Sequence, residues 1–285
     1  MSTVTRKDVS DALVALGIEN GDVLLVHSSL KSMGTVVGGA DTVIDGMLDV
    51  LLPDGTLVVP TLVQKDFSTA YDRWDKNVTP SDVGLITETL RKRPEAYRSD
   101  QATHSVAAIG KNADYLTCSH SSFGPRMHPY GDYAFSHGSP WQKMYDMGGK
   151  VLFLGVGMEA NTYHHFAEAI FSEEIISLLN DKPEREKMLA PLVTFYTRDE
   201  HTRQIKEEEK GGPKHTLIRF QFGKRRKVNR TYDSVNKKQV MLGDATLTLF
   251  NVKEYVDSLL NEIKTYTDEF YTNDVLDFIK RVKNL

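Results

Sequence analysis

The sequence is short of the residues from which several classes of protein are built. It contains one cysteine, Cys118, so an internal disulfide is excluded, and such sparse use of cysteine is typical of a reducing compartment. No apolar run approaches the ~20 residues of a membrane span, and the first residues form no apolar signal region. We therefore expect a soluble, cytoplasmic protein that does not bind membranes.

An excess of charge of one sign is also missing. The 285 residues carry a net charge of −4, which gives no general attraction to nucleic acid or to anionic lipid. One basic run, "KRRKVNR" at residues 224–230, is balanced by the acidic "KEEEK" nearby. Because no nucleic-acid-binding motif accompanies this run, we interpret it as an exposed hairpin and expect no nucleic-acid partner.

Three common signatures of phosphate and metal binding are absent. The chain has no Walker GxxxxGK[ST] loop, no GxGxxG fingerprint and no HExxH zinc helix. It also lacks a cysteine cluster that could complete a zinc site, so we expect no metal.

Hydrophobic periodicity is clear in the first 60 residues. Residues 5–18 form a predicted helix that opens with a capping box at Thr5 and Asp8. "DVLLVHSSL" predicts a strand buried on both faces, a helical stripe follows over residues 38–55, and "TLVVPTL" is the next strand. This order predicts a βαβ unit with a parallel pair of strands.

Further elements extend this pattern. Residues 81–94 predict a helix, "SVAAIG" and "KVLFLGVG" predict buried strands, and another helix should start near Asn161. Beyond residue 180, charged stretches with alternating apolar residues indicate hairpins, and two amphipathic helices end the chain. We predict one α/β domain over residues 1–285, with a central, mostly parallel sheet flanked by helices, a β-rich insertion around 180–240 and C-terminal helices.

A polar segment follows the first buried strand. His27, Ser28 and Ser29 stand where that strand ends, which is where open α/β sheets bind ligands. Gly38 and Gly39 precede a helix whose free N–H groups attract anions, and Lys31 adds a positive charge. The spacing alone fits equally well a glycine turn with hydroxyl groups that cap a helix.

"NTYHHFAEAI", residues 161–170, allows a metal site, a general base or the polar edge of a helix. In a helix, His165 and Glu168 face the same side as Thr162, whereas His164 points about 100° away. A carboxylate on one imidazole nitrogen leaves the other to take a proton. Since HHxxE lacks the i, i+4 spacing of a zinc helix, the base is favoured over the metal.

The segment between residues 120 and 140 is rich in histidine and tyrosine. No pair of ligand-like spacing recurs in it, so we interpret it as a long binding loop that shapes a pocket. Its candidate residues are His120, His128, Tyr130, Tyr133 and His137. The thiol of Cys118, just before this loop, has no activating surroundings in the sequence.

Taken together, three stretches in a consistent order over residues 6–172 resemble the aminoglycoside 3-N-acetyltransferase family, which has an α/β fold unlike that of the GNAT acetyltransferases. They are "VHSSLKSMGTVVGGADTVIDGMLDVL" with "GTLVVPT", "VTPSDVGLITETLRKRPEAYRS" with "SVAAIG", and "GSPWQKMYDMGGKVLFLGVGMEANTYHHFAE". The family transfers acetyl from acetyl-CoA to the 3-amino group of 2-deoxystreptamine. The resemblance therefore implies an acetyl-CoA co-substrate and a small-molecule amine acceptor; a homodimer is one assembly open to the chain.

The resemblance also implies roles for particular residues. The family's T-x-x-H-x-x-E motif maps onto Thr162, His165 and Glu168, which makes His165 the base in a direct attack on the thioester. Hydroxyl groups of Ser28 or Ser29, or N–H groups beside them, are then candidates to stabilise the oxyanion. The residues implied to bind coenzyme A are His27, Ser28, Ser29, Lys31, Val36, Val37, Gly38 and Gly39.

The acceptor side departs from the family pattern. Gln101 and Ala102 stand where R-S-x-H-P-x-x-S has His-Pro, and Thr231 stands at the first acidic position of [DE]-Y-D. The candidates for acceptor binding are Asp100, Gln101, His104 and Asp233. Two alternatives stay open, namely acylation of a nucleotide-linked amino sugar and a non-catalytic CoA-binding relative.

Overall fold

A seven-stranded sheet forms the middle layer of the protein. The computed structural model describes residues 2–63, 70, 73–120, 126, 134–189 and 228–285. Its strands are β1 (Thr3–Val4), β2 (Val23–Ser28), β3 (Thr35–Val36), β4 (Thr56–Pro60), β5 (Tyr97–Arg98), β6 (Val106–Gly110), β7 (Lys150–Leu154), β8 (Lys237–Leu242) and β9 (Ala245–Asn251). β1 and β3 form a separate two-stranded ladder, and the other seven strands form the central sheet.

Helices cover both faces of this sheet. They are α1 (Arg6–Leu16), α2 (Gly39–Leu51), α3 (Leu85–Arg91), α4 (Ala113–Thr117), α5 (Pro140–Asp146), α6 (Tyr163–Ser177), α7 (Arg185–Leu189), α8 (Val228–Ser234), α9 (Val252–Thr265), α10 (Thr267–Phe270) and α11 (Asn273–Lys283). Two short 3₁₀ turns, Leu30–Met33 and Met158–Ala160, follow the ends of β2 and β7. The α/β class and the helical C-terminus predicted from the sequence are confirmed.

The order of strands in the central sheet is β5-β6-β4-β2-β7-β9-β8. β2 lies between β4 and β7 and is parallel to both, which confirms the predicted βαβ unit. All other neighbouring pairs are antiparallel, so the expectation of a mostly parallel sheet is wrong outside the middle three strands. Parallel pairing needs a long crossover, whereas a tight turn at Gly243 joins β8 to β9 and reverses the chain.

Alternation along β2 divides the core into two layers. Leu24 and Val26 face α1, α2 and α3, whereas Val23 and Leu25 face the layer that contains α5, α6, α9 and α11. Because both faces are covered, β2 needs apolar residues at every position from 23 to 26, as its sequence predicts. The sheet thereby holds the end of β2 in a fixed position beside α6.

A local signal in the sequence correctly predicts where helix α1 begins. The capping box at the start of α1 is present, with the Thr5 hydroxyl accepting from the Asp8 N–H and the Asp8 carboxylate accepting from the Thr5 N–H.

The predicted hairpins after residue 180 fall largely in 190–227, outside the described residues. The basic run predicted as a hairpin ends in helix α8, because Val228–Ser234 is helical. No helix of the described part is both long and apolar enough to cross a bilayer.

Helices α1 and α2 pack closely where α2 has no side chain. A Cβ added at Gly46 would lie 2.7 Å from the carbonyl oxygen of Arg6 and 2.7 Å from the Cβ of Val9. These distances leave no room for a methyl group, so the glycine permits the close approach of the helices. Helix propensity by itself would favour alanine at this position by about 1 kcal/mol.

We predict that Gly46→Ala lowers the free energy of unfolding by about 1–3 kcal/mol, the usual cost of overpacking, in spite of the better helix former. Urea denaturation followed by circular dichroism measures the change. Val14→Ala, on the exposed face of α1, is the control and should be nearly neutral. An unchanged or higher midpoint for Gly46→Ala would contradict the close helix contact.

Candidate functional site

A cavity of about 670 Å³ opens where β2, β4 and β7 end and α6 begins. Open α/β sheets place their ligand sites at this edge. The walls come from both sides of the sheet, because α3 contributes on one side and α6 on the other. The lining residues are His27, Ser28, Pro60, Leu62, Val83, Thr87, Thr103, His104, Val156, Glu159, Ala160, Asn161, Thr162 and His165.

The first turns of α6 bring a histidine and a carboxylate together. His165 Nδ1 lies 2.7 Å from Glu168 Oε2, as the i, i+3 spacing predicts. The Glu168 side chain is inaccessible to solvent, whereas His165 is 22% exposed and lines the cavity. A carboxylate accepts only from a protonated nitrogen, so Nδ1 carries the proton and Nε2 is the nitrogen that accepts one.

The surroundings of Glu168 are closed off from water. The phenol of Tyr271 is buried close by, and its burial, together with the charge of Glu168, raises the pKa of Tyr271 well above its ordinary value. This phenol therefore stays protonated in the working pH range. The His165 ring is consequently the route by which a proton on this pair can reach the cavity.

Thr162 and His164, which precede the pair in the chain, are placed as the helical spacing predicts. Thr162 stands at the start of α6, lines the cavity and accepts the N–H of His165 on its carbonyl oxygen at 3.0 Å. His164 points to another side, where its ring packs 6.0 Å from that of Tyr255 on α9. Of the two adjacent histidines, only His165 contributes to the cavity wall.

His27 and Ser28 form the floor of the cavity at the end of β2. His27 is 5% exposed and its ring meets that of Phe153 edge-on at 5.8 Å. Burial lowers the pKa of His27 to about 4, so the ring is neutral at physiological pH. The Ser28 hydroxyl is enclosed and finds no hydrogen-bond partner among the described residues.

The other residues of the predicted CoA-binding segment lie outside the cavity lining. Ser29 donates its N–H to the Leu154 carbonyl at 2.9 Å, and Lys31 is exposed on the 3₁₀ turn that follows. Val36 pairs with Val4 in the two-stranded ladder, and Val37 is exposed beside it. Gly38 and Gly39 adopt the positive φ angles of 83° and 67° that the tight turn into α2 requires.

Of the four predicted acceptor residues, His104 alone lines the cavity. Its ring lies 6.4 Å from that of His165, and its Nδ1 is 2.9 Å from the Thr103 hydroxyl. Gln101 is buried beneath, where its side-chain oxygen Oε1 accepts the backbone N–H groups of Thr103 and His104. The position of Gln101 is therefore a supporting one, which holds the turn that carries His104.

The remaining two acceptor candidates are placed away from this wall. Asp100 accepts the indole N–H of Trp74 at 2.7 Å, and Asp233 is exposed on α8. Thr231, at the position where the family pattern has an acid, is buried and donates its hydroxyl to Glu262.

Two histidines of the predicted binding loop are described, one of them buried and the other paired with a carboxylate at the surface. His120 is buried between the Ser99 hydroxyl and the Ala134 carbonyl, both at 2.9 Å, and burial lowers its pKa to about 4. His137 Nε2 lies 2.6 Å from Glu173 Oε1, and Arg126 donates its Nε–H to the other oxygen of the same carboxylate, Oε2, at 2.8 Å. His128, Tyr130 and Tyr133 lie outside the described residues. Within the described part, no group of three His, Cys, Asp or Glu side chains could hold a metal.

Sequence reasoning missed several lining residues. The most informative is Glu159, in the 3₁₀ turn before α6, which supplies the one carboxylate among the described lining residues and accepts the Gly157 N–H at 3.0 Å. Asn161 follows it and holds the start of α6 by accepting the Tyr163 N–H. The "GMEAN" segment carried the available signal, since it links a strand that ends at the cavity to the helix of the His–Glu pair.

The fold and site together define an α/β protein with a ligand cavity at the carboxyl edge of its parallel strands and a histidine–carboxylate pair in the wall. The family model for aminoglycoside 3-N-acetyltransferases matches residues 25–263. The chain belongs to the aminoglycoside 3-N-acetyltransferase family.

Among curated proteins, the chain is 34% identical over 186 residues to aminoglycoside N(3)-acetyltransferase VII of Streptomyces paromomycinus. The aligned region covers 59% of this chain and 61% of that protein. The match thus spans about three-fifths of the length of the curated relatives. Two solved structures share the fold with a TM-score of 0.62 each. AAC-IIIb in a binary complex with CoASH has 21% identity, with 95% of this chain and 99% of that chain covered; AAC-VIa bound to sisomicin has 19% identity, with 92% and 97% covered.

The two buried neutral histidines predict an acid-sensitive fold. Burial lowers the pKa of His27 and of His120 to about 4 from the ordinary value of about 6.5, so the unfolded chain binds more protons between these two pH values. The free energy of unfolding should therefore fall as the pH drops from 6.5 toward 4, by up to ~1.4 kcal/mol per pH unit for each histidine.

Urea midpoints measured between pH 7 and pH 5 test this slope. His27→Asn removes one of the two titrations and should flatten the pH dependence relative to the unaltered protein. An identical slope in that variant would show that His27 is not held neutral in the fold.

Proposed function

We propose that this chain is a CoA-dependent N-acetyltransferase that acetylates an amino group of an aminoglycoside or amino sugar. The observation that carries the proposal is the 2.7 Å contact between His165 and the buried Glu168 at the wall of the cavity. Family membership and the names of the curated relatives support the reaction class.

The acetyl donor is proposed to enter at the end of β2. A structural relative binds CoASH, and the cavity floor here has the polar side chains of His27 and Ser28. The turn from Ser29 through Lys31 to Gly38 and Gly39 leads outward from this floor to the N-terminus of α2. A helix N-terminus and a lysine favour negative charge, so this turn is suited to the phosphate groups of the nucleotide end, with Val36 and Val37 beside it.

Transfer is proposed to occur by direct attack without a protein nucleophile. The neutral acceptor amine attacks the thioester carbonyl carbon, and the C=O electron pair moves onto oxygen. His165 Nε2 takes the proton that the amine loses, while Glu168 stabilises the imidazolium. Collapse of the intermediate breaks the C–S bond, and His165 returns the proton to sulfur, which gives the amide and CoASH.

The acceptor is proposed to be held through its positive charge. Glu159 is the carboxylate of the described lining, and it lies in the 3₁₀ turn that precedes the helix of His165. A polyamine such as an aminoglycoside carries further ammonium groups that a carboxylate can pair with. AAC-VIa bound to sisomicin shows such a ligand on a relative. His104 stands on the neighbouring wall, with Gln101 behind it, whereas Asp100 and Asp233 lie outside the cavity lining.

Replacement of the base gives the first test. We predict that His165→Ala lowers kcat by about 10²–10⁴-fold, the usual contribution of a positioned general base, with little change in KM for acetyl-CoA. Free thiol released from acetyl-CoA is followed with a panel of aminoglycosides and nucleotide-linked amino sugars.

His164→Ala is the matched control, because it removes the adjacent imidazole on the same helix but lies outside the cavity lining. It should keep most of the activity. A protein that binds CoA but acetylates no amine would contradict the proposed enzymatic function. Full activity in His165→Ala would show that His165 is not the general base.

Replacement of the cavity carboxylate gives a second test. Glu159→Gln keeps the shape and the hydrogen-bonding capacity of the side chain but removes its charge. We predict a KM for a polycationic acceptor raised by about 10-fold, corresponding to ~1.4 kcal/mol of binding, with an unchanged KM for acetyl-CoA. Equal effects on both KM values would indicate a general disturbance of the cavity.

A further inference from the structure

His27 is a buried polar side chain that has no hydrogen-bond partner among the described residues. Neither ring nitrogen makes a hydrogen bond to any described residue, although the ring is 95% removed from solvent. Buried polar groups are nearly always satisfied, so a ring that lines a cavity and forms no hydrogen bond to the described residues is a candidate contact for a ligand atom. The residue lies on the same face of the sheet as α6, since the ring packs on Phe153 in the layer that contains Phe166.

The two nitrogens of this ring differ in their access. Nε2 is fully enclosed, and no acceptor within the described residues faces it. Nδ1 is not enclosed, so it is the nitrogen that meets the cavity. A buried N–H without an acceptor is rarer than a buried lone pair without a donor, so the neutral ring should carry its proton on Nδ1.

Burial lowers the pKa of His27, and no charged group among the described residues contributes to this shift. The ring therefore stays neutral during turnover at physiological pH and cannot serve as an acid. A neutral N–H in a dry site is nevertheless a strong donor to an oxygen on which negative charge develops.

Other donors near the end of β2 are less suited to this task. The Ser29 N–H is already committed to the Leu154 carbonyl at 2.9 Å. The Ser28 hydroxyl is enclosed, so a ligand atom cannot approach it without local movement. Of the candidates at this strand end, His27 Nδ1 is thus the one that is both exposed to the cavity and uncommitted.

We propose that the Nδ1–H of His27 donates to the carbonyl oxygen of the bound thioester and stabilises the oxyanion formed by attack of the amine. This role rests on the acetyl transfer proposed above. In the reacting step the new C–N bond forms, the C=O pair moves onto oxygen beside His27, and its return expels the thiolate. His27 gives up no proton, because His165 carries the proton from nitrogen to sulfur.

Two substitutions separate the hydrogen bond from the shape. His27→Leu fills the space without a donor, whereas His27→Asn places an N–H near the position of Nδ1. We expect kcat to fall by about 10²–10³-fold in His27→Leu, as for loss of an oxyanion donor, and to recover in part in His27→Asn. Affinity for CoASH, which has no acetyl carbonyl, should fall by a much smaller factor than kcat in both variants.

An infrared measurement reads the contact directly. Binding of [1-¹³C]acetyl-CoA without an acceptor should shift the ¹³C=O stretch to lower frequency in the unaltered protein. His27→Leu should abolish the shift and His27→Asn should keep part of it, whereas a purely structural role for His27 would leave the frequency as it is. The role of His27 would be contradicted if the shift persisted in His27→Leu. It would also be contradicted if the unaltered protein bound acetyl-CoA and transferred the acetyl group but showed no shift. Either result would leave the acetyl transfer itself unaffected.

Failure of the acetyl-transfer proposal gives a different result. A protein that binds no acetyl-CoA and acetylates no amine would contradict both the proposed function and the role of His27.

If His27→Leu does not fold, ¹⁵N NMR of histidine in the unaltered protein tests the role of His27 instead. We expect His27 to be neutral at pH 7 with its proton on Nδ1. A proton on Nε2 would overturn the role.

Discussion

The candidate site depends on one buried interaction, the hydrogen bond from His165 to the fully enclosed Glu168. An enclosed carboxylate costs several kcal/mol unless it is paired, so its partner and its surroundings have to be held firmly. α6 supplies that rigidity, because nine of its fifteen residues are buried against the sheet and the C-terminal helices. The imidazole can then reach out of the core into the cavity while its carboxylate stays inside.

The mixed sheet places the rest of the site around this pair. β2, β4 and β7 run parallel and end at the same edge, so that Ser28, Pro60 and Val156 meet there, although they are far apart in sequence. Among the antiparallel outer strands, β6 and β9 begin at this edge and β5 ends at it. The connection from β5 to β6 thereby brings in the turn that carries His104.

Local features of the site were accessible from the sequence, and long-range ones were not. The spacing of His165 and Glu168 fixes their contact within one helix, and the same 3.6-residue period sends His164 elsewhere. Gln101 could not be distinguished from a ligand contact, because only the tertiary structure shows its amide turned inward to hold Thr103 and His104. The directions of the outer strands also depend on connections whose geometry no apolar pattern encodes.

The environments of His27 and His165 differ in a way that divides the proposed chemistry between them. His165 has a carboxylate on Nδ1, so a proton taken on Nε2 creates a cation with a counter-charge already in place. His27 packs on Phe153 and has no charged partner in the described part of the chain, so burial keeps it neutral and limits it to donation of a hydrogen bond. One residue type can thus both move a proton and stabilise an oxyanion in a single cavity, because environment rather than identity sets each role.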